Sequence, residues 1–324
     1  MNHLTKLLGV GALALPMASA AQAQECGDVS IAQMNWAAAK VTTEVAQFIL
    51  EEGYGCDVSL VPSDTVPAVA SVAENGEPDV ITNFWLNSAG DAWDKLEEQG
   101  KVTRLNSVLE PGGVEGWWIP TYLAEEHPEL TTIQGVMDNP ELVGGQFNNC
   151  PDGWGCRVVS DNLVRALDLE SSGIEVFNHG SGETLATSMG SAVTDKEPWF
   201  GYYWGPTVPM GKYDMTRVEL GDHKEDAFAD LQNPDTDNPE VSEFPAAPIL
   251  TAATTDFIEA NPEVAEFFSN MSFETSTMSS LLAWTDENNA SYEETAAYFL
   301  GEYKDQWSGW LNDDARENLS ALLQ

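Results

Sequence analysis

Cys150 and Cys156 stand six positions apart in NCPDGWGCR, with Trp154 between them. A core tryptophan needs no sulfur clip, because packing alone fixes it. A ring that must face an open cleft does need one. Three more tryptophans end strand-like runs: Trp36 closes VSIAQMNW, Trp85 closes PDVITNFW and Trp204 closes PWFGYYW. Each alone is more often core than ligand-facing. Together they match the place where open α/β sheets bind ligands, the crevice beyond the carboxyl ends of the strands. An indole face carries negative potential, so a ring of Trp suits a cation without strong hydrogen-bond donors. A quaternary ammonium fits that description, and each desolvated face contributes about 2 kcal/mol. Three or four faces, less the cost of immobilising the ligand, give roughly micromolar affinity, about −8 kcal/mol. The backbone N–H groups of Gly155 and Cys156, at a helix start, offer a hook for a carboxylate or N-oxide oxygen. Trp117 and Trp118 in GGVEGWWIP form a fifth candidate site where the chain crosses between domains. Glu115 beside them adds a carboxylate that could meet a cation or a hydroxyl.

The elements that must position these residues alternate. Strand-like VSIAQMNW precedes a helix over 38–52, and VSLVPSD precedes a helical stretch over 66–75. PDVITNFW is followed by a helix over 88–99 and the strand-like VTRLNSVL, after which GGVEGWWIP opens a new block. Helices over 157–169 and 183–194 flank IEVFNHGSGE, and PWFGYYWGP reads as a further strand. The segment 221–248, rich in Asp, Asn and Pro, reads as irregular, and FPAAPILTAAT restarts regular structure. This alternation predicts an α/β protein with parallel sheet. The 324 residues allow two domains. Two strand-like crossings, GGVEGWWIP and FPAAPILTAAT, divide the chain into one lobe of 26–113 plus 249–324 and another of 114–248.

Lys6, the apolar run LLGVGALALPMASA and Ala21-Gln22-Ala23 form an export signal over 1–23, cleaved near Ala23. No later stretch approaches the roughly 20 apolar residues of a membrane helix, so no direct membrane insertion is expected. In an exported chain four cysteines favour two disulfides. Cys26 and Cys56 each precede a strand, and a strand–helix–strand unit sets such starts side by side. Cys26–Cys56 with Cys150–Cys156 is therefore the economical pairing. Without Lys6, 12 basic residues face 53 acidic ones, a net charge of −41. That balance excludes nucleic acid and anionic lipid as partners. An acidic surface suited to salty surroundings accounts for it.

Enzymatic readings are weak. His127, His179 and His223 show no metal-ligand spacing, and no G-x-S-x-G elbow occurs. HGSGET lacks the Lys of a phosphate loop and reads as a plain turn. An exported hydrolase stays only as a remote alternative, and no cofactor is expected. Asn233, Asp235 and Asp237 in DLQNPDTDNPE offer alternating oxygens for a structural calcium, without the closing glutamate of an EF-hand. A solvated loop is the better reading.

Several of these motifs resemble one family along essentially the whole mature chain: the periplasmic glycine betaine/proline betaine-binding proteins of ABC importers. C-x-x-G-W-G-C matches Cys150 to Cys156, DVITNFW matches a strand ending in a box Trp, and GYYWGP and Gly309-Trp310-Leu311-Asn312 resemble further family stretches. The resemblance implies a two-lobed type II clamshell, each lobe a mixed, mostly parallel sheet flanked by helices. It implies an aromatic box of Trp85, Trp154 and Trp204, with Gly155 and Cys156 N–H as carboxylate donors. It also implies a monomeric periplasmic protein that hands a small trimethylammonium ligand to an inner-membrane permease. Two positions depart from the enteric members. Ala89 stands where they carry a ligand-holding His, and Trp36 where they carry a small polar residue. A smaller ligand with a weaker anionic end fits both changes. The pattern resembles the trimethylamine N-oxide-binding branch, with glycine betaine and choline as open alternatives and Asn35 or Asn87 as substitutes for the His.

Overall fold

The computed structural model describes residues 26–323, and the expected export signal lies outside them. Hydrophobic runs with no polar alternation form the central strands: all six residues of β3 (Val80–Trp85) are buried, as expected for a strand covered on both faces. β1 (Asp28–Met34) and β2 (Asp57–Ser63) run parallel in the register Asp28↔Asp57, with helix Ala37–Ile49 between them in sequence. The disulfide Cys26–Cys56 ties their starts, with Cα atoms 4.8 Å apart. The expected helix over 38–52 stops short. It ends at Ile49, and a wider π turn, Leu50–Tyr54, closes it before Gly55 in the left-handed region.

Ten strands share one connected ladder, ordered β2-β1-β3-β9-β4-β7-β5-β6, with β8 and β10 also pairing β4. The remaining strands are β4 (Val102–Pro120), β5 (Gln146–Asn149), β6 (Glu175–Asn178), β7 (Gly201–Gly205), β8 (Met215–Arg217), β9 (Ala247–Thr254) and β10 (Phe273–Glu274). Two sheets meet along β4. Its first part pairs β9 as far as Gly113↔Ala247, and β7 takes over at Val114↔Gly205. The sequence reads two strands there; the chain forms a single one of 19 residues. The β9 register slips between Leu109 and Gly113, where β10 pairs Leu109 and Glu110, and the strand continues through the slip. Both sheets are mixed: β1, β2 and β3 are parallel, as are β5, β6 and β7, whereas β9 is antiparallel to β3 and β4.

The segment expected to be irregular holds one helix, Glu225–Leu231, before β9. Late in the chain, Trp310 packs on Phe273 and Phe299, and Asn312 caps the final helix Asp313–Leu322. That motif is structural.

Candidate functional site

β1 ends at Met34, and Trp36 is the residue that caps the next helix. Its indole Nε1–H donates to Asn83 Oδ1 at 2.8 Å. Asn83 is buried in β3 with φ at +55°, and its Nδ2 donates to Thr42 Oγ1 at 3.4 Å. Two residues on, Trp85 ends β3. On the other sheet, Trp204 lies in β7 and Trp154 precedes helix Gly155–Leu167 inside the Cys150–Cys156 clip. Trp154 Nε1–H donates across the cleft to Asn35 Oδ1 at 2.8 Å. Trp36 and Trp154 meet edge to face at 5.5 Å, and Trp154 and Trp204 do so at 4.9 Å.

These four rings line a tight gap, completed by Tyr202, Thr65, Ser88, Gly155 and Cys156. The rings stand so close that about 20 Å³ is left open, little more than one water needs, so they must part to admit a ligand. No lining side chain is charged. Gly155 and Cys156 open their helix, so their N–H groups have no carbonyl one turn earlier to bond. A Cβ at Gly155 would overlap the Ser88 carbonyl, so only glycine lets this helix start approach the opposite side of the cleft. The arrangement can surround a compact cation with π faces and meet one oxygen with N–H and hydroxyl groups.

Residues 27–302 match the substrate-binding domain of the ABC-type glycine betaine transport system. The chain belongs to this family.

Among relatives of this binding domain, the glycine betaine/proline betaine-binding periplasmic protein of Salmonella typhimurium is 22% identical over 229 residues, covering 64% of this chain and 66% of that one. A glycine betaine/L-proline-binding protein of Borrelia burgdorferi superposes with a TM-score of 0.75 at 15% identity, over 90% of this chain and 99% of that one. An ABC-transporter choline-binding protein, solved with choline, gives 0.74 at 19% identity, over 92% and 99%. These likenesses show the fold, the α/β type II clamshell.

Within this binding-domain frame, several expected site residues take other places. Glu115 faces Trp204 across the β4–β7 pairing but does not line the cage. The Tyr202 hydroxyl, on the cage wall, donates to Glu115 Oε1 at 3.2 Å, and Oε2 has no partner. Burial pushes the Glu115 carboxyl up to about 7, against hydrogen bonds from Tyr202 and Asn87 and the field of Arg217. Burial and the nearby Glu115 carboxyl hold the Tyr202 hydroxyl well above its usual range. Glu115 thus acts from one hydrogen bond behind the wall.

Trp117 and Trp118 are not cage residues. Trp117 is fully buried against Phe147 and Phe200, at 4.3 and 5.6 Å, and its Nε1–H reaches Ser160 Oγ. Trp118 donates to the Tyr203 carbonyl at 3.0 Å. Strand neighbours point to opposite faces, so the pair cannot share one site. Trp117 sits two cross-strand pairs along from Glu115, beneath the helix that begins at Gly155.

Neither Asn35 nor Asn87 lines the cage. Asn35 Oδ1 is taken by Trp154, and Asn87 Nδ2 donates to the Ala246 carbonyl. Asp64 stands beside the clip, its carboxyl raised by burial and lowered in part by the nearby polar groups of Trp154 and Asn35. The loop offered for calcium is internally bonded. Asn233 Oδ1 accepts the Asp235 N–H at 2.9 Å, a local turn. Among the described residues no group of three or more His, Cys, Asp or Glu is placed to hold a metal, and Asp237 joins none. HGSGE is a helix start capped by Ser181 and Thr184.

Sequence reasoning missed Tyr202, Thr65, Ser88 and Asn83. Tyr202 and Asn83 each stand two positions before a cage Trp, on the same strand face, so a period of two carries the signal. Thr65 and Ser88 have no such marker.

Proposed function

We propose that this protein is the periplasmic capture component of an ABC importer, binding a small trimethylammonium compound without changing it, trimethylamine N-oxide ahead of glycine betaine and choline. The observation that carries this reading is the uncharged cage of Trp36, Trp85, Trp154 and Trp204. A methylated cation gains from indole faces what it cannot gain from hydrogen bonds. The choice among ligands rests on the other end. Hydroxyls of Thr65 and Ser88 and two helix-start N–H groups meet the ligand oxygen, and among the described residues no Lys, Arg or His lines the gap. That set suits the single oxygen of an N-oxide better than a full carboxylate. Relatives that bind glycine betaine or choline support the class.

In this reading the lobes 26–113 plus 249–324 and 114–248 close about the ligand, joined by β4 and the approach to β9. Calorimetric titration with trimethylamine N-oxide, glycine betaine, choline and carnitine tests it. Saturable one-to-one binding, tightest for the N-oxide, is expected. Failure of all four below millimolar concentration rejects the cage, and tighter binding of betaine reassigns the ligand.

A further inference from the structure

Beside the cage, and sharing Trp36, Trp154 and Trp204 with it, lies a second gap of about 160 Å³. The same three tryptophans border both spaces, so they form a partition. The outer space adds Tyr203 and Tyr292 as further aromatic walls, and Glu183 is its sole charged lining residue. Glu183 is exposed in the first turn of helix Gly182–Asp195 and forms no hydrogen bond or ion pair. The capping of that helix is already complete through Ser181 and Thr184. Its field reaches both tyrosines, raising each hydroxyl further after burial has done so. Tyr292 already attracts a cation: Lys40 Nζ lies 5.2 Å from its ring centroid, and Lys40 does not line the gap. Gly182 keeps the partition thin. A Cβ there would stand 2.8 Å from the Trp154 ring.

We propose that this vestibule is a second, weaker binding site for quaternary ammonium cations, built from Tyr203, Tyr292 and the outer edges of the Trp partition, with Glu183 as counter-ion. It differs from the inner cage in kind. The cage holds its ligand by π faces with no formal charge, whereas the vestibule adds an unpaired carboxylate open to solvent. A cation therefore meets the vestibule first, at millimolar strength, and passes inward when the partition parts. The ligand class is shared with the proposed function, but the site can be tested without the cage.

Trp85 lines the cage and not the vestibule, so Trp85→Ala separates the two. Choline is the probe, because it carries a net positive charge, and the backbone amide resonances of Gly182, Glu183 and Tyr292 report the outer site. In Trp85→Ala these amides should shift saturably at millimolar choline while high-affinity binding is lost. Glu183→Gln should weaken the outer site about fivefold, as should added salt, because an exposed carboxylate acts through a screened field. Cage affinity in Glu183→Gln should stay within about twofold of wild type. Tyr292→Leu should weaken the outer site through the lost ring face. If Trp85→Ala does not fold, the same amides are followed in wild type with the cage already filled. Silent amides well above millimolar choline, or outer binding indifferent to Glu183→Gln, overturn the vestibule. Outer binding without any tight site would instead overturn the cage and leave the vestibule standing.

Discussion

Trp36 and Trp154 meet edge to face with ring centroids 5.5 Å apart, yet each ring is fixed differently. The Trp36 indole donates to Asn83, a buried residue of its own sheet that is held in turn by Thr42. Its orientation is complete before the cleft closes. The Trp154 indole donates to Asn35, which belongs to the opposite wall. Its hydrogen bond spans the two walls, and under the proposed closure it would form only with the walls together. The clip between Cys150 and Cys156 supplies what is missing in an open molecule, a constraint on the loop that needs no partner. One wall is preformed by hydrogen bonds; the other is kept in readiness by sulfur.

The largest test bears on what lies beneath the second wall. Glu115 is the one buried carboxylate among the described residues, linked to Tyr202. Unfolded, a glutamate titrates near 4.5; here burial lifts it to about 7. Between those values the folded chain keeps a proton that the unfolded chain has lost. Stability should therefore fall as pH rises from about 5 to 7, by up to about 3 kcal/mol, and level off above. Denaturant midpoints across that range should show the slope in wild type and a much flatter line in Glu115→Gln. A slope unchanged by the substitution would detach Glu115 from it.

Next comes the ring itself. Trp154→Ala should weaken ligand binding about thirtyfold, the loss of about 2 kcal/mol of cation–π contact, with a small change in melting temperature. Trp154→Phe should recover part of it. Cys150→Ser with Cys156→Ser should weaken binding about tenfold, because the second wall must then be ordered at the moment of binding. The same change should cost about 2–3 kcal/mol of stability, the loop-closure value for so short a ring. Equal calorimetric affinity in the double variant and wild type would show that the clip does not prepare the wall.

The smallest effects separate the two hydrogen bonds. Asn35→Ala should reduce affinity about fivefold and leave the ligand-free melting temperature unchanged, since its partner is across the cleft. Asn83→Ala should lower ligand-free stability by about 1–3 kcal/mol, because it strands the Trp36 N–H in the core. If both variants behave alike, the walls do not differ in the way described.

The cage tryptophans were legible because each ends a strand or begins a helix, positions where sequence pattern and ligand geometry coincide. Both disulfides were legible from the strands and loop that bear them. Trp117 was not, because it shares a strand face with Glu115 and only the depth of the pair decides between cleft and core. That depth depends on the register with β7, which local sequence does not encode. Trp118 is a plain case of alternation that an adjacent pair disguises. Asn83 escaped notice because a polar residue in an apolar strand reads as an interruption until its indole partner is known. The continuity of β4 through Glu110-Pro111-Gly112-Gly113 was hidden for a related reason: turn-forming residues sit where two pairings exchange.

β9 lies between β3 and β4 in the ladder, yet more than a hundred residues separate it from either in sequence. A chain made from its N-terminus therefore carries β3 and β4 with a strand-wide slot between them until residue 254 has emerged. The strands of the second sheet all precede β9, so that half can be completed earlier. During the interval the slot exposes two unpaired edges, the template on which strands from other molecules add. The nascent chain, rather than the finished protein, is where aggregation threatens, and a holding chaperone would protect it most while the stretch between β4 and β9 is still being made.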